Sequence, residues 1–223
     1  MVKSFFLFYF VIQSTFRMRQ EDYLKELTEI KSIMNKSSRF ISLSGFAGIL
    51  TGIYALIGAI TALFLIRNYK NSYSSVSLIP ISYLEYMLLG IALLVLILSI
   101  LTALILSAKK AKKSGEKLWD STSKRLLINF SIPLFTGGFF CMVLYQNNFI
   151  GLIAPTTLIF YGLACLIASK YTLSDIRYLG IINIVLGLIA TQYIGYGLYF
   201  WAIGFGILHI IYGALMYNKY DRR

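Results

Sequence analysis

Residues able to do chemistry are scarce in this sequence, and those that stand out do so by where they fall. Asn183, Thr191 and His209 each lie inside a long apolar run. Asn183 shares a stripe with Gly180, Gly187 and Thr191; His209, the single histidine, shares another with Ala202, Gly206 and Gly213. Spacings of three and four residues put each set on one helix face. A carboxamide and an imidazole in apolar surroundings can fasten two helices by a hydrogen bond, or can form the polar spot of a pocket for a small or lipidic ligand. Both readings are open. Counted from Arg177 and Lys219, the two side chains lie roughly 9 and 15 Å deep at 1.5 Å per residue. An antiparallel hairpin is expected to bring Asn183 and His209 into direct or single-water contact.

Catalysis finds little to work with. A carboxylate at mid-membrane is the usual mark of proton relay or ion transport, but Glu85 and Asp175 both fall near the ends of apolar runs. Thr172-x-x-Asp175 reads as a helix cap. Cys141 and Cys165 are too few for a disulfide framework and read as small hydrophobes. A zinc site needs three or four clustered ligands, which His209 lacks in sequence. P-loop, GxGxxG, HExxH and GxSxG motifs are absent from the sequence. The expectation is a non-enzyme with no catalytic residue, cofactor or metal.

These residues must be positioned by elements that composition defines. Of 223 residues 58% are hydrophobic and 13% charged, with a mean hydropathy of +0.72, against about 25% charge in soluble domains. A soluble enzyme, a disordered chain and a nucleic-acid-binding domain are excluded. A membrane span needs about 20 apolar residues. Six stretches qualify: Phe40–Ile66, Tyr83–Ser107, Leu126–Tyr145, Phe149–Ser169, Tyr178–Ile194 and Gly197–Tyr217. Runs such as LLGIALLVLILSILTALILS lack the alternation of a barrel strand, so the spans are helices. The predicted fold is all-α, a polytopic membrane protein whose six transmembrane helices form three αα-hairpins over residues 40–217, followed by a cytoplasmic tail at 218–223.

Charge sets the orientation. The net charge is +12, and 19 of the 21 basic residues fall on one side of this layout, leaving Arg67 and Lys70 on the other. Both termini are therefore expected in the cytoplasm of a bacterial inner membrane. Residues 1–17 carry an apolar stretch, Phe5–Ile12, too short to span; a mis-called start with Met18 as the alternative, an interfacial anchor and a signal peptide are all open readings. Residues 18–39 read as a cytoplasmic amphipathic helix, with Tyr23, Leu27, Ile30 and Met34 on one stripe. It would lie on the membrane or dock a protein partner or second copy. The polybasic run Ala108–Arg125 would attract anionic headgroups of the lipid bilayer, its partner here, and topology determination explains its lysines equally well. No nucleic acid is expected.

Small residues predict how the helices pack. Gly45, Gly48, Gly52, Ala55, Ala59 and Ala62 form a stripe on the first span, a face for another helix or a second copy. The second span, mostly Leu and Ile, should face lipid, with Ser99 and Thr102 bonding back to their own helix. Pro133 and Pro155 should bend the third and fourth spans, and Thr156 and Thr157 are placed to help satisfy freed carbonyls. The fourth and sixth spans end alike, as FYGLACLIASKY and IYGALMYNKY.

From Glu21 onward, EDYLKELTEIKSIMNKSSRFISLSGFAGILTGIYALIGA and the closing GYGLYFWAIGFGILHIIYGALMYNKY resemble a family of small uncharacterised bacterial integral membrane proteins with six helices. That resemblance implies membrane integration and supplies no activity or site residue. The residues themselves lead to two functional expectations. One is a non-enzymatic membrane module that recruits a protein partner through its cytoplasmic helix or bundle surface. The alternative is a channel or carrier for a small or lipidic substrate, using the hairpin of spans five and six.

Overall fold

Long runs of Leu, Ile, Phe and Val leave the backbone one economical way to satisfy its amides away from water, the α-helix. The computed structural model describes residues 44–73, 81–115 and 119–222. It is helical almost throughout, with no strand among the described residues. The chain divides into Met1–Arg39 and Phe40–Arg223, and every described residue belongs to the second unit. The leader and the expected amphipathic helix at 18–39 lie outside the described residues.

Helix α1 is Gly45–Tyr73, α2 Ile81–Lys113, α3 Ser121–Gln146, α4 Ile153–Ala168 behind a 3-10 turn at Ile150–Leu152, α5 Ile176–Ala190, and α6 Gly197–Asp221. All but α5 are long and apolar enough to cross a membrane, which gives five such helices, as in a multi-pass membrane protein. With 15 residues, α5 reaches only about 22 Å, against roughly 30 Å of hydrocarbon. Its expected end at Ile194 comes early for local reasons. The Gln192 and Tyr193 amides tighten onto the Ile189 and Ala190 carbonyls. Thr191 Oγ1 donates to Leu188 O at 2.7 Å, and Gly195 takes a φ of +100°, which side chains resist.

Elsewhere helices outrun the expectation. α2 continues through Lys109–Lys113, and the stretch expected as a tail from 218 is helical to Asp221. Pro155 causes no mid-helix bend: it stands in the first turn of α4, where a missing N–H costs nothing. Pro133 does fall inside α3. Asp120 caps α3 by accepting from the Ser123 amide at 2.7 Å; that bond holds its carboxyl below the usual carboxylate range.

Packing follows the glycines. On α1 the small-residue stripe turns inward, with Gly45, Gly52, Ala55, Ala59 and Ala62 buried. A Cβ on Gly52 would sit 2.6 Å from Gly206 O, and one on Gly48 3.1 Å from the Gly213 Cα, so α1 and α6 meet backbone to backbone. α4 and α5 meet the same way: a Cβ on Gly162 would lie 2.6 Å from Gly180 O. The closest pairs are thus α4 with α5, α3 with α4, α1 with α6 and α1 with α2. α5 and α6, expected as the third hairpin, touch only sparsely along their length, because their glycine stripes serve other neighbours.

Helix α2 packs mainly on α1, with Gly58 against Val95, and leaves Leu93, Leu96, Ile97 and Leu104 about half exposed. Its hydroxyls depart from expectation. Thr102 Oγ1 reaches Tyr54 Oη on α1 at 3.4 Å, and the buried Ser99 Oγ has no protein partner. At one end of the bundle Asp221 Oδ2 accepts from the Gly45 amide at 2.8 Å, Asp221 Oδ1 pairs with Lys110 at 2.6 Å, and Asp175 pairs with Lys219 at 2.7 Å. Elsewhere the Tyr145 hydroxyl donates to Glu85 at 2.7 Å, joining α3 to the start of α2.

Candidate functional site

The last helix is not uniformly α-helical. Ala202–Ile207 forms a π turn between two α-helical pieces. Such wider turns cost regular hydrogen bonding and occur often at functional positions. Two glycines in the turn admit close neighbours: a Cβ on Gly206 would collide with Leu56 of α1, and one on Gly204 with Leu158 of α4.

His209 stands two residues beyond the turn and is buried. Its Nδ1 lies 2.9 Å from Gly204 O, and its Nε2 lies 2.6 Å from the Tyr161 hydroxyl on α4. A carbonyl only accepts, so Nδ1 carries the proton. In the neutral ring Nε2 then offers a lone pair, and Tyr161 donates to it. The pair is packed by aromatic neighbours: Tyr161 has its centroid 5.2 Å from that of His209 and 5.0 Å from that of Phe205, and Trp201 stands 5.0 Å from Phe205. Trp201, Phe205 and His209 recur every four residues along one face of α6.

Asn183 is fully buried on α5. Its Nδ2 donates to Leu179 O of its own helix at 2.9 Å, while Oδ1 has no protein partner. That oxygen abuts Gly204, where an added Cβ would lie 2.7 Å away. The expected Asn183–His209 contact is therefore replaced by a shared neighbour: both side chains converge on Gly204, and the hydrogen-bond partner of His209 is Tyr161. The reason is rotational. Gly206 and Gly213 turn their side of α6 to α1, which leaves Gly204 to meet α5. Thr191 does not join them, being half-buried at the end of α5 and bonded to its own helix.

Toward the Asp175 end the polar groups continue. Cys165 follows Tyr161 by four residues on α4, and its thiol adjoins the Tyr161 hydroxyl. Tyr212 follows His209 by three on α6; its hydroxyl is buried with no hydrogen-bond partner in the protein and lies near Cys165, Asp175 and Tyr220. Asp175 accepts from Lys219 Nζ at 2.7 Å and from the Tyr220 hydroxyl at 3.1 Å. Tyr161 and Tyr212 are the site residues that sequence reasoning passed over. Their signal is the repeated Tyr-Gly of the fourth and sixth spans: each glycine seats its helix on a partner while the tyrosine beside it turns into the interior.

Among the described residues no three His, Cys, Asp or Glu side chains gather as a metal site would require. No family model, curated protein or solved structure matches the chain.

Proposed function

We propose that this chain is a membrane protein of six crossings with both termini on the cytoplasmic side of a bacterial inner membrane. We propose further that it acts, without catalytic chemistry of its own, as a carrier or channel for a small or lipidic substrate. The topology is supported by the 19 basic residues on one side of the layout and by Asp221–Lys110 and Asp175–Lys219 ion pairs between helix ends on that side. Membership of a small six-helix bacterial family, on the resemblance of the first and last spans, fits the same layout.

The carrier reading is carried by Asn183. A buried acceptor without a partner costs about 1–3 kcal/mol, and such groups usually await water or a ligand. Here Oδ1 faces a side-chain-free residue of a π turn, which lies one hydrogen bond from His209 and two from Tyr161. Substrate supplying a donor to that oxygen would remove the cost. Thiol chemistry tests it. With Cys141→Ala and Cys165→Ala as background, Asn183→Cys in native membranes should react with a small water-soluble methanethiosulfonate. Phe135→Cys, at a position 79% exposed on the outside of α3, should not. If Asn183→Cys stays unmodified while Lys112→Cys is labelled, no aqueous route reaches the site and the reading fails.

A second reading is favoured by the Tyr23, Leu27, Ile30 and Met34 stripe: a non-enzymatic module whose helix at 18–39, or whose bundle surface, recruits a protein partner or a second copy. Anionic lipid headgroups at Lys109–Lys113 belong to either reading.

A further inference from the structure

We infer that His209 is a proton-binding site reached from the Asp175 end of the bundle along a partly hydrated path through Tyr212 and Tyr161, making the proton the coupling ion of the proposed carrier, on which this inference rests. α4 and α6 run in the same direction, both ending near the Asp175–Lys219 pair. Tyr161 and Cys165 on α4, and His209 and Tyr212 on α6, therefore descend together toward that pair, one helical turn at a time. Tyr212 supplies the independent observation: its buried hydroxyl has no hydrogen-bond partner in the protein and lies near Cys165, Asp175 and Tyr220. Buried polar groups left in this way are ordinarily bridged by ordered water. Water bound at Tyr212 would join the charged end to the Tyr161 hydroxyl.

The transfer balances. A proton arriving through water adds to the Tyr161 oxygen as the original Tyr161 O–H bond breaks and its proton forms a new N–H bond at His209 Nε2. Tyr161 ends neutral. His209 ends as an imidazolium, with Nδ1–H donated to Gly204 O and Nε2–H to the Tyr161 oxygen, so both donors have acceptors already in place. The ring meets Tyr161 of α4 and Phe205 of its own helix; Asn183 of α5 stands across Gly204, Cys165 lies beside Tyr161 and Tyr212 one turn beyond the ring, α1 approaches the backbone of His209 at Gly48, and the charges on the path are Asp175 and Lys219. The single positive charge would stand beside the Asn183 oxygen across Gly204.

Because the chain has one histidine, histidine labelled with nitrogen-15 reports this ring alone in the full-length protein in lipid bilayers. At neutral pH the spectrum should show one protonated and one bare ring nitrogen, and on acidification both should become protonated. Exchange of the ring proton with water should slow by about tenfold in Tyr212→Phe, which removes one relay hydroxyl, each 1.36 kcal/mol of barrier being a factor of ten. Tyr212→Phe deletes a hydroxyl that bonds nothing in the protein, so the fold should survive it. A ring that keeps one proton at every pH where the protein stays folded, or exchange unaltered in Tyr212→Phe, overturns the inference. Modification of Asn183→Cys together with a ring that never gains a proton rejects proton coupling and leaves the carrier standing; an unreactive Asn183→Cys with a protonating ring rejects the carrier and keeps the proton site.

Discussion

A single carboxylate near the C-terminus does the work that loops do in other helical proteins. Asp221 accepts from the first amide of α1 and from the Ser44 hydroxyl, and pairs with Lys110 of α2. The N-terminus of α1 carries unsatisfied amides and the positive end of a helix dipole, so a carboxylate there serves as a cap supplied by another helix. With the side chains of Lys110 and Asp221 only 19% and 10% exposed, removing Asp221 takes a close opposite charge from Lys110 in a poorly hydrated place and leaves the first amide of α1 without its cap. Asp221→Ala should lower stability by about 2–4 kcal/mol, and Asp221→Asn should lose less, since its amide oxygen can still accept from Gly45. Denaturant unfolding in mixed micelles measures both; equal losses would show that charge alone matters. Asp221 was illegible in the sequence because it belongs to a short polar terminus, where a charged residue looks like solvent contact. Asn183 and His209 were legible because each is rare in its surroundings. Tyr161 was not, being one of 17 tyrosines in a protein class where tyrosine is ordinary at interfaces.

At the scale of elements, glycine decides which helices pair. Lipid offers apolar side chains as good a home as protein does, so helices associate where backbones come close. Gly162 and Gly180 are opposed, each leaving room for the other's carbonyl, and Gly52 leaves room for the carbonyl of Gly206. A methyl at Gly162 must displace backbone rather than a flexible side chain, and overpacking of this kind costs about 1–3 kcal/mol. Gly138 on α3 has nothing within 4 Å of an added Cβ, so Gly138→Ala should be neutral or gain up to about 1 kcal/mol from helix propensity. Thermal unfolding in one detergent compares the pair; equal effects of Gly162→Ala and Gly138→Ala would refute glycine-directed pairing. The sequence displayed the stripes on α1, α5 and α6 plainly, because helical periodicity is local. It did not display which stripe meets which. Adjacency in the chain suggested α5 with α6, whereas the glycines set α5 on α4 and α6 on α1. The π turn was equally hidden, since it arises where Gly204 and Gly206 receive Leu158, Asn183 and Leu56 from three other helices.

For the whole molecule, the short α5 is the point on which the proposed topology turns. Its 15 helical residues would leave roughly 8 Å of a 30 Å core uncrossed. The ion pair at its start ties the proposed fifth crossing to the sixth. Asp175 lies just before α5, and Lys219 lies near the end of α6, 2.7 Å away. The two must sit at one depth, so α5 with its turn and α6 together form a closed excursion. α6 runs 25 residues and is apolar enough to cross a membrane; if it crosses, the segment from Ile176 to Tyr196 must cover the same thickness in reverse. The exposed aromatic turn at Tyr193 and Tyr196 supplies a suitable far boundary, and local thinning of the bilayer accommodates a short helix at a fraction of a kcal/mol per Å. Cysteines placed singly at Asn147, Tyr196, Lys112 and Arg222 in a cysteine-free background separate the possibilities. An impermeant thiol reagent added to intact cells should label Asn147→Cys and Tyr196→Cys, and should reach Lys112→Cys and Arg222→Cys only after lysis. Protection of Tyr196→Cys alone would mean that α5 and α6 enter and leave from the same side, reducing the crossings to four. Labelling of Lys112→Cys from outside, with Asn147→Cys protected, would instead invert the molecule and remove the charge asymmetry as its cause.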